Sequence, residues 1–407
     1  MSDGAPCTAG DLIALEERFA ARTYAPVPVV LARGEGCFVW DVDGRRYLDG
    51  LSAYSALNQG HRHPRIVAAL VEQAQRLTLT SRAFHNDRMG RFLERLCDVT
   101  GFPRAVPMNT GVEAVETAVK VMRRWGYERR GVPEGEGEIV VAEGNFHGRT
   151  LLAVSLSTDP SSYGGYGPYV PGIVKVPFGD EDALARALGP RTVGVLLEPI
   201  QGEAGVIIPP DGYLARVRSL CSERGVAFCL DEVQTGLGRT GKMFAWQHWG
   251  ARPDLVCVGK ALSGGVYPIS AVCGVGEILD VLTPGTHGST YGGSPLASAV
   301  GTAALDVIRE ERLPERAEAL GAVAVERLRA GLAGAAGVKD VRGRGLMIAV
   351  QFRFPVAARV ARSLARDAAV LCKDTRGHTI RFMPPLVTPE DVLLEAIERM
   401  VPILARG

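Results

Sequence analysis

The sequence contains no apolar run approaching the roughly 20 residues that a membrane span requires. Its start, "MSDGAPCTAGDLIALEERFAARTYAPVP", lacks a basic stretch followed by an apolar block, and its acidic residues speak against a mitochondrial presequence. Charge of one sign is also missing. Lys+Arg 46 against Asp+Glu 45 leaves a net charge of +1, and no basic run interleaved with aromatics occurs, so nucleic acid is not an expected partner. The eight cysteines (Cys7, Cys37, Cys97, Cys221, Cys229, Cys257, Cys273, Cys372) stand singly, without the paired spacing of a zinc site or the density of a secreted disulfide framework. They read as reduced thiols, several of them in cores, and the expected location is a reducing cytoplasm, away from membranes. Lysine is scarce as well: only six of the 46 basic residues are lysine.

What is present describes an ordinary globular chain, with 46% hydrophobic and 22% charged residues over 407 positions, long enough for two or three cores. No internal repeat is found. The first fifty or so residues suggest a helix and a small hairpin, "GCFVWDVDGRRYLD", turning at Asp43-Gly44. From about Gly101 to Thr290, short β-branched runs ("EIVVAEG", "TVGVLLEP", "GVAFCLDE", "DLVCVG", "ISAVCGV") alternate with helical segments, the pattern of an α/β fold whose mostly parallel sheet is buried on both faces. After "GGSPLASAVGTAALDVIREE" long Ala/Leu/Arg helices dominate, with strands such as "MIAVQF" and "HTIRFM" between them. The expected organisation is an N-terminal segment over 1–54, a large domain over 55–301 and a smaller C-terminal α+β domain over 302–407.

In open α/β sheets the functional side chains gather at the carboxyl ends of strands. Here "GVAFCL" ends in Asp231-Glu232 with Gln234 close behind, "TVGVLL" ends in Glu198 and runs on to Glu203, and "DLVCVG" ends in Lys260. A single strand-end charge is usually just solvated, but three at one rim point to a site. In a chain that prefers arginine, a lysine at an apolar strand end suggests an amine that must be able to lose its proton, and the leading use of such an amine is Schiff-base chemistry. A pyridoxal phosphate site needs that lysine, a carboxylate for the pyridine nitrogen, a phosphate cradle and flat groups against the ring. Asp231 precedes Lys260 by one strand–helix–strand unit. "PMNTGVEAVETAVKVMRRW" supplies a strand end, a glycine turn and an amphipathic helix with apolar Val115, Ala118, Val119 and Met122, whose start can bind phosphate.

These residues carry a family resemblance. "PMNTGVEAVETAVK", "GNFHGRT", "EPIQGEAGV", "DEVQTGLGRTG", "GKALSGGVYPISAV" and "GSTYGGSPLA" resemble, in order and spacing, the class III pyridoxal-phosphate aminotransferases of fold type I. "SAYSALNQGHRHP", "TLTSRAF", "STDPSSYGGYGP" and "IRFMPPL" look like the ornithine-using members of that family. The similarity spans about Tyr24 to Pro402. It implies a large domain with a seven-stranded, mostly parallel sheet between helices, and pyridoxal 5'-phosphate as cofactor.

Carried over position by position, the resemblance implies that Lys260 holds the cofactor and then carries the proton, while Asp231 pairs with the ring nitrogen. Gln234 is expected near the ring hydroxyl, Phe146 and Val233 on the two ring faces, and Gly111 and Val112 at the phosphate. Ser289 and Thr290 match residues that reach the phosphate of a neighbouring subunit, which implies a homodimer with sites at the interface. Arg381 matches the grip on the α-carboxylate of glutamate or 2-oxoglutarate, and Glu203 the carboxylate that covers it. Glu198 and Tyr54 line the site, and Tyr24 and Arg149 match the pair that receives the α-amino and α-carboxylate end of L-ornithine. The implied reaction moves the δ-amine of L-ornithine to 2-oxoglutarate. His147 stands where animal ornithine enzymes carry tryptophan and matches many acetylornithine and aminobutyrate enzymes. A related ω-aminotransferase acting on acetylornithine, lysine or 4-aminobutyrate is therefore the alternative. A racemase or epimerase on the same fold would need no oxo-acid acceptor, which the Glu203–Arg381 pair speaks against, and intact Lys260 and Asp231 speak against a chain that has lost its chemistry. His61 and His63 read as loop residues, and no metal is expected.

Overall fold

The structure is a computed structural model that describes residues 8–407. Cys7 and the rest of the opening seven residues lie outside the described residues. Helix Ala9–Phe19 starts at Thr8, whose side chain accepts the Asp11 N–H while the Asp11 carboxylate takes the Thr8 N–H. Three antiparallel strands follow, β1 (Leu31–Glu35), β2 (Phe38–Asp41) and β3 (Arg46–Asp49). The β2–β3 turn runs through Asp43-Gly44, as its sequence predicts. Asp41 Oδ1 accepts the N–H groups of Asp43 and Arg45, and Gly44 takes a φ of 82° that a side chain would resist.

The central sheet holds seven strands: β4 (Arg104–Met108), β5 (Glu138–Ala142), β6 (Ile173–Val176), β7 (Thr192–Leu197), β8 (Ala227–Asp231), β9 (Leu255–Val258) and β10 (Ser270–Gly274), in the order β4-β10-β9-β8-β7-β5-β6. All pairings are parallel except the two made by β10. Period-two alternation sends Ile139, Val141, Leu196, Cys229 and Cys257 toward helix Gly111–Arg129, where Val115, Ala118, Val119 and Met122 are buried against them. Val140, Val195, Leu197, Phe228 and Leu230 face helix Tyr213–Arg224 on the other side. A sheet covered on both faces explains why its strands read as unbroken apolar runs. The buried cysteines Cys221, Cys229, Cys257 and Cys273 sit in these layers as free thiols.

Helix Pro295–Glu310 carries the chain onward, and the division expected between 301 and 302 falls inside it. Beyond lie β11 (Val338–Arg344), β12 (Met347–Phe352), β13 (Val370–Leu371), β14 (Lys373–Thr375) and β15 (Thr379–Phe382), flanked by helices Leu313–Gly331 and Glu390–Ala405. β11-β12-β15-β14 form an antiparallel sheet, while β13 joins the N-terminal sheet in parallel beside β3. One apolar core runs without a break from Phe92 and Val256 to Leu346 and Phe382, so the C-terminal unit is packed onto the large sheet. Among the described residues no helix is long and apolar enough to cross a membrane.

Candidate active site

The carboxyl ends of β7, β8 and β9 open on a cavity of about 200 Å³ lined by Gly111, Val112, Phe146, Glu198, Glu203, Asp231, Val233, Gln234 and Lys260, together with His147, Gly148 and Thr235. Nine of the residues singled out in the sequence thus meet in one place.

Lys260 follows β9 by a single glycine and begins the turn that leads back toward antiparallel β10. Its φ is 45°, a left-handed conformation that costs a non-glycine residue roughly 1–2 kcal/mol and is kept because the flanking strands fix both ends of the turn. Burial pushes its amine below the usual lysine value, against the pull of Glu203 and Asp231 in the opposite direction. The result is an amine closer to neutrality than a surface lysine, which is the form that attacks a carbonyl.

Asp231 ends β8 with its carboxylate anchored on both oxygens: Oδ1 accepts the Val233 N–H at 3.1 Å, and Oδ2 lies 2.8 Å from His147 Nδ1. His147 is fully buried. Burial opposes its charge, but the Asp231 carboxylate outweighs that and raises its pKa. Beside it, burial pushes Glu198 up to about 7, with His147 pulling it back; Glu198 Oε2 accepts the Phe146 N–H at 3.0 Å and Oε1 the Gly202 N–H at 3.3 Å. Glu232, adjacent in sequence, belongs to the support instead: it accepts from Thr235 Oγ1 and from the N–H groups of Ala245 and Trp246.

On the third side Glu203 Oε1 receives Arg381 Nη1 at 2.5 Å and Gln234 Nε2 at 3.1 Å. Burial works against the Glu203 charge, yet Arg381 holds its pKa below the usual carboxylate value. The Arg381 guanidinium stacks on Tyr54, 5.1 Å from the ring centre. Burial raises the Tyr54 hydroxyl, and Tyr24 is near enough to add to the effect. A Cβ at Gly202 would fall 1.6 Å from Gln234 Oε1, so the glycine before Glu203 is what lets Gln234 reach in.

The residues fit pyridoxal phosphate on grounds of their own. Helix Gly111–Arg129 points its start at the cavity, capped by a reciprocal Thr110–Glu113 box worth about 1 kcal/mol. A Cβ at Gly111 would come within 2.7 Å of Val233 Cγ1, so the approach must stay open. Two buried polar atoms there, His147 Nε2 and Gln234 Oε1, have no hydrogen-bond partner among the described residues. A donor set of helix N–H groups, a strand-end carboxylate and a depressed amine is the one such a cofactor uses.

The remaining expected residues lie outside the cavity. Arg149 is exposed, its guanidinium 5.6 Å from the Phe146 ring centre. Tyr24 is 79% exposed. Ser289 Oγ accepts from Asn109 Nδ2 at 2.8 Å beside the helix start, and Thr290 is exposed. His61 lies 2.8 Å from Asp49 and His63 2.9 Å from Glu311, each paired with a carboxylate. Sequence reading missed the His147–Asp231 contact, although the histidine stood in a quoted motif, and the Gln234–Glu203 bond. It also missed a fully buried arginine, Arg239, in "DEVQTGLGRTG".

Comparison with known proteins places this geometry. The family model described as aminotransferase class-III matches residues 19–404. The ornithine aminotransferase of Bordetella pertussis is 54% identical over 97% of this chain and 95% of its own length. Among solved structures, the ornithine aminotransferase of Toxoplasma gondii superposes with a TM-score of 0.96 at 43% identity, covering 98% of this chain and 95% of that one. Crystallised with oxidised glutathione, that enzyme carries PLP at partial occupancy in its active site. The acetylornithine aminotransferase of Elizabethkingia anophelis superposes with a TM-score of 0.89, also at 43% identity, over 98% and 99% of the two chains.

Proposed function

The chain belongs to the class III aminotransferases, and from that premise we propose that it is an ornithine δ-aminotransferase, moving the δ-amine of L-ornithine to 2-oxoglutarate. The products are glutamate semialdehyde, which closes on itself to pyrroline-5-carboxylate, and glutamate. The observation that carries the reading is the Glu203–Arg381 pair beside Lys260. A guanidinium covered by a movable carboxylate serves two substrates in one pocket: bared, it takes the α-carboxylate of glutamate or 2-oxoglutarate; covered, its charge is neutralised and it no longer draws a carboxylate when an ω-amine binds.

Pyridoxal phosphate, when bound, supplies an aldehyde that takes an amine and a ring that accepts electrons from an ionising carbon–hydrogen bond. Lys260 would hold it through the amine and, once displaced by substrate, take the proton from the carbon that bears the transferred nitrogen. Asp231, oriented by its bond to His147, would face the ring nitrogen; Gly111 and Val112 would offer N–H groups to phosphate, and Phe146 and Val233 would flank the ring. Gln234, bonded to Glu203, would lie near the ring hydroxyl. Tyr24 and Arg149, both exposed, would receive the α-amino and α-carboxylate groups of ornithine. Ser289 and Thr290, at the surface beside the helix start, are suited to reach a second copy's phosphate, which makes the working unit a homodimer.

Acetylornithine is the competing amine, favoured by His147 and by the likeness to the Elizabethkingia enzyme. Single-turnover reactions with ornithine, acetylornithine and 4-aminobutyrate decide between them, in the wild type and in Tyr24→Phe. A free α-amino group held by the Tyr24 hydroxyl is worth about 1.5–3 kcal/mol, so the variant loses about tenfold to a hundredfold on ornithine and keeps its glutamate rate. Faster turnover of acetylornithine than of ornithine by the wild type overturns the assignment.

A further inference from the structure

Arg239 is wholly buried, and among the described residues no carboxylate lies within ion-pair distance of it. A charge in that position needs a reason. Four of its five N–H groups are used. Nη1 donates to the carbonyls of Leu346 at 2.9 Å and Pro384 at 2.7 Å, and Nη2 to Ser52 Oγ at 2.8 Å and Asn58 Oδ1 at 2.6 Å; only Nε finds no acceptor. The acceptors belong to three stretches of chain that are distant in sequence, Leu346 lying just before β12. Ser52 and Asn58 bracket the turn that carries Tyr54, whereas Pro384 lies just beyond β15, which carries Arg381.

That turn is unusual. Ser52, Ala53, Tyr54 and Ser55 all have positive φ (45°, 46°, 59° and 76°), and none is glycine. An isolated chain does not hold four such residues in a row, so the conformation is imposed by what surrounds it. Asp49 Oδ1 fixes the entry by accepting the N–H groups of Leu51 and Ser52. Ser52 Oγ donates to the Met383 carbonyl at 2.6 Å and in turn receives Arg239. Arg239, like Ser52 through its bond to Met383, thus joins the turn that carries Tyr54 to the chain just beyond β15, which carries Arg381.

We infer that Arg239 is a positioning residue for the substrate-carboxylate pocket: without touching substrate, it holds the left-handed turn Ser52–Ser55 and the end of β15 together, and so sets Tyr54 against Arg381. The inference rests on the reading of Arg381 as the carboxylate grip. It assigns to the arginine of "GLGRTG" a part in substrate affinity, separate from the cofactor side of the cavity.

The test uses the pyridoxal-phosphate-loaded protein and glutarate, a dicarboxylate with neither an amine nor an oxo group, titrated by calorimetry. Arg239→Gln should raise the glutarate dissociation constant at least about tenfold, the scale of one lost charge-assisted hydrogen bond, and leave the visible absorbance of the bound cofactor unchanged. Ala53→Gly in the same chain should recover part of the loss, because glycine enters the left-handed region freely and Ala53 is exposed. General loosening of the fold would not be repaired by a surface glycine. If Arg239→Gln fails to fold, Ser52→Ala removes one of its acceptors and should weaken glutarate binding about threefold or more, with the same glycine rescue. Wild-type affinity in Arg239→Gln, or no rescue by Ala53→Gly, overturns the role given to Arg239. A wild type that does not bind glutarate at all overturns the reading of Arg381, and this inference with it.

Discussion

The two sides of the cavity are built differently. Asp231, Glu198 and Lys260 stand at the ends of neighbouring strands in a sheet sealed on both faces, and the two carboxylates are held by groups that follow strands of the same sheet, Asp231 by Val233 and His147 and Glu198 by Phe146 and Gly202. Tyr54, Glu203 and Arg381 come from the N-terminal turn, a loop after β7 and the C-terminal sheet, and are brought together through Arg239, Gln234 and backbone carbonyls. The first side is one rigid edge. The second is a junction of segments far apart in the chain, and in the proposed reaction it is the side that alternates between two substrates. A reaction that repeats the same proton transfer in both halves but exchanges the substrate's far end places its fixed parts and its adjustable parts accordingly.

The comparison is most severely tested at Lys260. Lys260→Ala should lower both half-reactions by at least about 10⁴-fold, since general acid–base help alone is worth about 10²–10⁴ and the covalent hold is lost as well. Borohydride reduction of the wild type should fix the cofactor on a peptide containing Lys260; finding it on Lys242 or Lys175 would discard the assignment.

Arg381→Gln should split the halves. Loss of a charge-assisted grip of about 1.5–3 kcal/mol slows the glutamate half about tenfold to a hundredfold, and single-turnover rates with ornithine should stay within about threefold. Equal losses would mean that the junction is as indivisible as the strand edge. His147→Ala supplies the complementary case: it removes the partner of Asp231, so both halves should slow by the same factor, about tenfold.

Removing the cofactor exposes the smallest effect. Burial depresses the Lys260 amine below its unfolded value of 10.5, so between the depressed value and 10.5 the unfolded chain binds more protons than the folded one. Stability of the cofactor-free protein should therefore rise with pH across that window and be lost as pH falls through the folded value. Melting temperatures of Lys260→Met, measured over the same range, should show a flatter slope; an unchanged slope would mean that the amine is not desolvated.

The same division decides how much could be read from the sequence. The strand edge was legible, because apolar runs that stop at Asp231, Glu198 and Lys260 are local patterns and "NTGVE" spells out a capped helix start. The junction was legible only where a family motif named its residues. Nothing in "SAYS" signals a left-handed turn, since glycine or asparagine usually marks one and neither is present. Its conformation depends on partners that include Asp49, Met383 and Arg239, and the bonds of Arg239 to Ser52 and Asn58 span 187 and 181 residues. For the same reason the pairing of β13 with β3 could not be foreseen: two residues make no pattern, and the partner lies in the other part of the chain.

Strand β10 runs against its neighbours, and that reversal orders events in time. β9 and β10 are consecutive strands joined by residues 259–269, the segment that holds Lys260, so their pairing closes a far smaller loop than that of β10 with β4. β4 and the helix start behind it reach β10 across a wide gap in sequence: Ser270 Oγ donates to the Thr110 carbonyl 160 residues away. Closing a loop of that size costs entropy that is recovered only when the edge strand docks. On loop-closure grounds the amine is expected to be in place before the turn at Gly111, and a ligand that needs both would select chains whose sheet is complete. Cofactor added during refolding should act as a latch on the last strand to arrive, drawing the population toward the closed sheet by mass action.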